Sequence, residues 1–190
     1  MTARRLYAPV VLGLLAAGGL AFFAASRTWA STTIETPGLP LDDIAVTGAD
    51  AYPAVPALAL VVVASALAVL ATGRRIRRAV GVLVILATLT AAWVMLDGNH
   101  ALEAEIADAT RRSPSFTESS RLGSDLRSAW DLVTLGALVL AAGLGALVVR
   151  FASAWPTMGS RFEAPAPQKD EPRTEADLWA AMDEGRDPTE

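Results

Sequence analysis

The chain contains no cysteine and a single histidine, His100, among its 190 residues. Without cysteine there are no disulfides, iron–sulfur clusters or thiolate metal sites. With one histidine, imidazole chemistry has little to draw on. Glu103 lies three residues on and would share a helix face with His100, but a metal site needs three or four ligands in defined geometry. Ser113, Ser115, Ser119 and Ser120 have no histidine at a triad-like spacing, and no glycine loop of the phosphate-cradling kind occurs. Charge of one sign is not in excess either: 16 basic against 20 acidic residues leave −4, without the basic face that a nucleic-acid binder needs. The sequence therefore predicts no catalytic residue, no cofactor, no metal and no nucleic-acid partner. His100 reads as a solvated side chain.

Charge is also missing locally. Four runs, 6–25, 53–72, 79–96 and 132–149, contain no Asp, Glu, Lys, Arg or His. At 1.5 Å per residue, about 20 helical residues reach about 30 Å, the thickness of the hydrocarbon core. These runs carry most of the 53% hydrophobic content and the mean hydropathy of +0.39. They predict an all-α integral membrane protein, a bundle of four transmembrane helices in contact with the lipid bilayer. Pro53 and Pro56 fall in the first turn of the second run, where a missing N–H costs little. Arg4 and Arg5 ahead of the first run also fit a signal peptide cut after Ala30. The run is longer than the usual h-region of about 7–15 residues, which favours an uncleaved anchor. With no ionisable residue at mid-membrane and no matching glycine or proline breaks in two halves, coupled transport by this chain alone is disfavoured.

Orientation follows the arginines of the short loops. Arg4 and Arg5 precede the first run, and "GRRIRR" at 73–78 joins the second to the third. Arg150 and Arg161 follow the fourth. The loop 26–52 has only Arg27 against Glu35, Asp42, Asp43 and Asp50, and the loop 97–131 has four arginines against seven acids. Both termini and the basic turn are expected in the cytosol, and both long loops outside. Trp29, Tyr52, Trp93 and Trp130 fall at the outer ends of the runs and Tyr7 and Trp155 at the inner ends, the places of headgroup-level aromatics; Trp93 is alternatively a residue packed between helices.

In lipid, close approach at small residues holds helices together. Gly13, Ala17, Ala21 and Ala25 form a four-residue ladder on the first run, Ala137, Ala141 and Gly145 one on the fourth, and Ala64, Ala68 and Thr72 a weaker one on the second. Such ladders serve bundle packing or dimerisation alike, and the oligomeric state stays open. In the first outer loop, "TTIET" and "IAVTG" flank "PGLPLDD", the pattern of a small β-hairpin. In the second, Asn99 is placed to cap a short helix over 100–110, either separate or continuous with the third run, and a helix is expected to restart near Asp125 and enter the fourth run.

The last part, 150–190, is expected to be a cytosolic linker over 150–173 and a tail over 174–190. "FEAPAPQKDEPR" is proline-rich and charged, without a core. In "TEADLWAAMDEGRDPTE", Thr174 fits an N-cap with Asp177 at N3, Gly185 fits C′, and Pro188 prevents continuation. Leu178, Trp179 and Met182 share one stripe. So short a helix is marginal in water, and it is expected to form when that stripe docks on a cytosolic protein or on the basic turn; a solubilising tail is the other reading. The acids around the single Arg186 make anionic lipid a poor partner.

These residues carry a resemblance. The order of four runs, "SRTWAS" after the first, "WPTMGSRFEAP" after the last, and a terminal Trp-x-x-x-Asp-x-Gly-x-Asp-Pro-Thr pattern at Trp179, Asp183, Gly185, Asp187, Pro188 and Thr189 together resemble the Trp biosynthesis-associated membrane protein family. The resemblance spans nearly the whole chain, and the terminal motif is its most specific part. It implies a bacterial plasma-membrane protein linked to tryptophan biosynthesis by gene neighbourhood, and it supplies no catalytic residues. The expectation that results is a non-enzymatic accessory or docking protein, with Leu178, Trp179, Met182, Asp183, Gly185, Asp187, Pro188 and Thr189 at a partner. The alternative is a transport component for tryptophan or an aromatic precursor, and a weaker third is an envelope-facing sensor.

Overall fold

A computed structural model describes residues 3–98, 100–124 and 126–155. The tail motif, the linker beyond residue 155, Asn99 and Asp125 lie outside the described residues. Among the described residues, four helices are long and apolar enough to cross a membrane. They are α1 (Tyr7–Ala25), α3 (Ala54–Ala71), α4 (Arg74–Asp97) and α6 (Trp130–Phe151). A one-turn helix, α2 (Gly48–Ala51), precedes α3, and α5 (Ala101–Arg112) follows α4. The end that bears both long loops is called the outer end below.

Each spanning helix packs on two others: α1 lies beside α3 and α6, and α4 lies beside α3 and α6. The ring is closed and its neighbours are antiparallel. The buried positions advance in alternating steps of four and three: Val10, Leu14, Ala17, Ala21 and Ala24 on α1; Val55, Ala59, Val62, Ala66 and Val69 on α3. The same steps give Arg77, Gly81, Val84, Thr88 and Ala91 on α4, and Thr134, Leu138, Ala141, Gly145 and Val148 on α6. This is the heptad period of a left-handed coil. Apart from Leu14, Leu138 and Arg77, the seam is made of small and β-branched residues, while Leu12, Leu60, Leu67, Leu86, Leu89 and Leu140 point outward. Lipid solvates leucine as well as protein does, so close contact at small side chains decides which face turns inward. The hydroxyls of Thr88 and Thr134 donate to Val84 O and Trp130 O, each 2.9 Å away, which satisfies them within their own helices.

The stretch 73–78, expected as a basic turn, is mostly helix. Only Thr72 and Gly73 link α3 to α4, and the four arginines form the first turns of α4. Arginine is a good helix former. Arg77 in addition donates from Nε to Val69 O at 3.2 Å and from an Nη to Thr72 O at 3.0 Å, using carbonyls that the end of α3 leaves open.

The outer end carries a folded cap. β1 (Thr28–Glu35) pairs antiparallel with β2 (Asp42–Thr47), in register Ser31 to Ala45 and Thr33 to Asp43. Their loop turns at Pro37 and Gly38, whose φ of 85° suits glycine. The opposite edge of β1 receives two short strands from the second outer loop, β3 (Arg121–Leu122) and β4 (Leu126–Arg127). Both outer loops thus share one sheet with β1 at its centre. A helix restart near Asp125 does not occur: β1 takes up the backbone of Leu126 and Arg127, and Ser128 N–H donates to Trp29 O at 2.9 Å, so α6 begins only at Trp130. α5 is separate from α4, with a break at Gly98, and its buried face of Leu102, Ile106 and Thr110 lies against β1 and β2.

Candidate functional site: a cleft beneath the outer cap

The site grows from Trp29. Its indole N–H donates to Ala24 O at 2.9 Å, near the end of α1, and its ring is 2% exposed. An added Cβ at Gly48 would collide with that ring, so α2 approaches it through glycine. Thr47 holds α2 in place. Its hydroxyl accepts from Asp50 N–H at 3.2 Å, and its own N–H donates to the Asp50 carboxylate at 2.9 Å, a capping box. The bonds from the Thr47 side chain and then its backbone hold the Asp50 carboxyl below its ordinary range. Tyr52 follows, its ring centroid 5.7 Å from that of Trp29 and its hydroxyl donating to Gly98 O at 2.7 Å.

Trp29 and Tyr52 therefore form an internal aromatic floor and not a headgroup belt. Their polar atoms are satisfied by backbone carbonyls within the cap. Trp155 departs from the belt in the same way at the inner end: it is 3% exposed and edge-on to Tyr7 at 5.3 Å. Trp93 does point outward, at 68% exposure, and is not packed between helices.

Above the floor lies a cleft of about 180 Å³, lined by Trp29, Tyr52, Met95, Leu96, Leu102, Arg127, Asp131, Leu132 and Leu135. Leu96 and Leu132 are largely exposed and flank its mouth. Two opposite charges line it. Arg127 comes from β4 and Asp131 from the first turn of α6, where the helix dipole favours an anion. Burial pushes the Tyr52 hydroxyl above its ordinary pKa; Arg127 opposes that shift and Asp131 adds to it. Arg127 also reaches Glu103 at 3.4 Å, and Glu103 reaches His100 at 3.5 Å. All three side chains are more than half exposed, so these ion pairs are weak. His100 is thus a surface residue with one carboxylate beside it.

Two larger hollows lie elsewhere on the cap. One of about 330 Å³ runs between α5 and the sheet, past Thr32, Glu103, Ile106 and Phe116. The other, of about 450 Å³, surrounds the hairpin tip at Pro37, Gly38 and Leu41. Each also carries an arginine and a glutamate, Arg111 with Glu103 and Arg121 with Glu35, beside apolar residues; the smaller cleft differs in its floor of two buried aromatic rings, Trp29 and Tyr52.

The small residues singled out from the sequence are placed as follows. Ala17, Ala21, Ala25, Ala137, Ala141 and Gly145 are buried in the bundle, and Gly13 is half-buried against Leu144. Ala64 is exposed and Ala68 and Thr72 are half-buried, so the ladder on the second run is not the packed face of α3. Closer approaches occur at Gly18, where an added Cβ would meet Ala59 O at 3.2 Å, and at Gly81, where it would meet Gly145 O at 3.1 Å. Neither glycine stands in a four-residue ladder; the seam's mixed steps of four and three include Gly81 and leave Gly18 one residue off. The docking residues Leu178, Trp179, Met182, Asp183, Gly185, Asp187, Pro188 and Thr189 lie outside the described residues.

The family profile described as "Tryptophan-associated transmembrane protein" matches residues 11–189. No curated protein and no solved structure matches the chain.

Proposed function

Because the chain belongs to the tryptophan-associated transmembrane protein family, we propose that it is a non-enzymatic membrane accessory of tryptophan metabolism that binds a small ligand in the cleft beneath its outer cap. The family and the four spanning helices make it a multi-pass membrane protein. The finer reading rests on one observation: strands and helices from both outer loops converge on a cleft with an aromatic floor, an apolar mouth and two opposed charges. A concave, mostly apolar site with a few placed polar groups is the usual form of a small-molecule site. Binding is favoured over chemistry because the lining offers no nucleophile beside a base, and the Tyr52 hydroxyl is committed to Gly98 O. Orientation by the short-loop arginines puts the cleft on the external face.

The test uses the full-length protein in lipid nanodiscs. Calorimetry with a panel of small amphiphiles should find a saturable binder, and Leu135→Trp, which fills the cleft, should abolish that binding with the bundle still folded. A panel without any binder overturns the reading.

A second reading keeps the tail as a cytosolic docking element. The family match extends to residue 189 and so includes the terminal motif, which supports a role shared by the family. Pull-down with the tail peptide, wild type against Trp179→Ala, tests it: equal recovery of every partner rejects it.

A further inference from the structure

The chemistry of the cleft narrows its ligand, on the premise that the outer cleft is a binding site. We infer that it takes the zwitterion of a free aromatic amino acid, with the carboxylate on Arg127, the ammonium on Asp131 and the ring against Trp29, Tyr52 and Leu102.

Size comes first. A dry cavity of about 150 Å³ takes up benzene, so a cleft of about 180 Å³ admits one ring system and excludes a diacyl lipid. Charge comes second. The cleft holds one cation and one anion. A net anion placed in it meets Asp131, and a net cation meets Arg127. A molecule that carries both charges at one end and none at the other satisfies both groups at once. The guanidinium fork matches a carboxylate, where two parallel N–H donors bind two oxygens. The only described acid paired with Arg127 is Glu103, at 3.4 Å between exposed groups, a contact easily exchanged for a ligand carboxylate. Asp131 Oδ1 accepts the Leu132 N–H at 2.7 Å, which orients the carboxylate and leaves Oδ2 for an ammonium.

The apolar end then selects the side chain. Trp29 and Tyr52 meet at 44° between ring planes with centroids 5.7 Å apart, so a third ring has two aromatic side chains to pack against, offset-stacked or edge-on. Met95 adds a thioether, which favours aromatic neighbours. The Trp29 and Tyr52 donors are already used on Ala24 O and Gly98 O, so this end of the site presents ring surface and no open hydrogen-bond demand.

The experiment dissects the zwitterion. Full-length protein in nanodiscs is titrated by calorimetry with L-tryptophan, L-phenylalanine, L-leucine, tryptamine, which lacks the carboxylate, indole-3-propionate, which lacks the ammonium, and a single-chain lysolipid. The aromatic amino acids should bind saturably, both truncated compounds should bind at least about ten-fold more weakly, the scale of one charge-assisted contact, and L-leucine, which keeps both charges and lacks the ring, should also bind more weakly. Arg127→Gln should weaken L-tryptophan about ten-fold and leave tryptamine, a cation relieved of a like charge, bound no more weakly than before. Asp131→Asn should weaken L-tryptophan and leave indole-3-propionate, an anion relieved of a like charge, bound no more weakly than before. This crossed pattern is one that a folding defect does not produce. Variants that weaken every compound equally overturn the assignment of Arg127 and Asp131. Binding of the lysolipid or of a truncated compound in preference to the amino acids overturns the ligand class while the cleft remains a binding site. If nothing in the panel binds, the inference and the proposed function fall together.

Discussion

Arg77 stands in the seam of α4, 1% exposed, at the end of the bundle where the other three helices place Val10, Val69 and Val148. Its charge faces the carbonyls of Val69 and Thr72 and the rings of Tyr7 and Trp155, 5.2 and 5.9 Å away. A cation at a helix C-terminus opposes the partial negative charge there, and the planar fork serves two carbonyls while stacking on aromatics, which an ammonium does not. We therefore expect Arg77→Lys to destabilise the bundle by about 1.5–3 kcal/mol, read from unfolding in mixed micelles, whereas Arg74→Ala and Arg75→Ala, at exposed positions, stay within about 0.5 kcal/mol. The distinction was not legible in "GRRIRR", because all four arginines serve the orientation rule equally. Only the seam's period singles out the third. At the outer end, Tyr52 makes a prediction with a sign. Burial raises its pKa in the folded protein. Below the ordinary tyrosine value of about 10, folded and unfolded chains both hold the proton and the contribution is intact. As pH rises past that value the unfolded chain ionises first, and stability falls until the folded pKa is passed. Tyr52→Phe should flatten this alkaline loss while costing about 1 kcal/mol at neutral pH for the bond to Gly98 O. Phenolate absorbance in a Tyr7→Phe background follows Tyr52 alone, since these are the two tyrosines. Titration at the unperturbed value would refute the burial argument.

The helices were legible as spans because hydropathy is additive along a run. Their packing faces were only partly so. Ladders of strict four-residue spacing drift around a helix of 3.6 residues per turn, whereas alternating steps of four and three keep one face turned to a neighbour. Hence Gly13 sits at the margin of its interface and Gly81 at the centre of one, although the ladders favoured Gly13 and passed over Gly81. An added Cβ at Gly81 would meet Val149 at 2.8 Å and the backbone oxygen of Gly145 at 3.1 Å. Because the second contact is to backbone, the helices themselves must part. Gly81→Leu should separate α4 from α6 and destabilise the protein by about 1–3 kcal/mol. Gly19→Leu, where nothing lies within 4 Å, should be close to neutral. Folded fraction in a denaturing-detergent titration compares the two; equal effects would mean that the α4–α6 contact does not depend on its glycines. The short strands β3 and β4 lay beyond sequence reading for a different reason. Two residues carry no alternation, and their backbone bonds are supplied by β1, about a hundred positions away in the chain. The hairpin β1–β2 was legible, since its partners are near and a proline–glycine turn joins them.

At the scale of the molecule, the cap ties the first outer loop to the second. Ser128 Oγ donates to Thr28 O at 2.7 Å across 100 residues, so the sheet completes only when the segment before α6 has joined β1. The cleft inherits this dependence. Trp29 and Tyr52 come from the first loop, Arg127 and Asp131 from the second, and no local motif could have announced that the four line one cleft. The same architecture bears on processing. A cut after Ala30 would fall inside β1 and remove α1, whose seam from Val10 to Ala24 is buried against α3 and α6. We expect the first helix to be retained, and a single N-terminal sequence starting at residue 31 would contradict the bundle. The last consequence is topological. The family match and the apolar helices speak for a membrane, while the side each end faces rests on arginines alone. Because the chain has no cysteine, single-cysteine variants report position without background. A membrane-impermeant maleimide added to intact cells should label Leu41→Cys at the hairpin tip, which is 69% exposed. It should leave Arg74→Cys, at the opposite end of the bundle, unlabelled until the membrane is opened. The reverse pattern would put the cap in the cytosol, where the cleft would meet the internal pool of amino acids, and the docking tail would lose every cytosolic partner proposed for it.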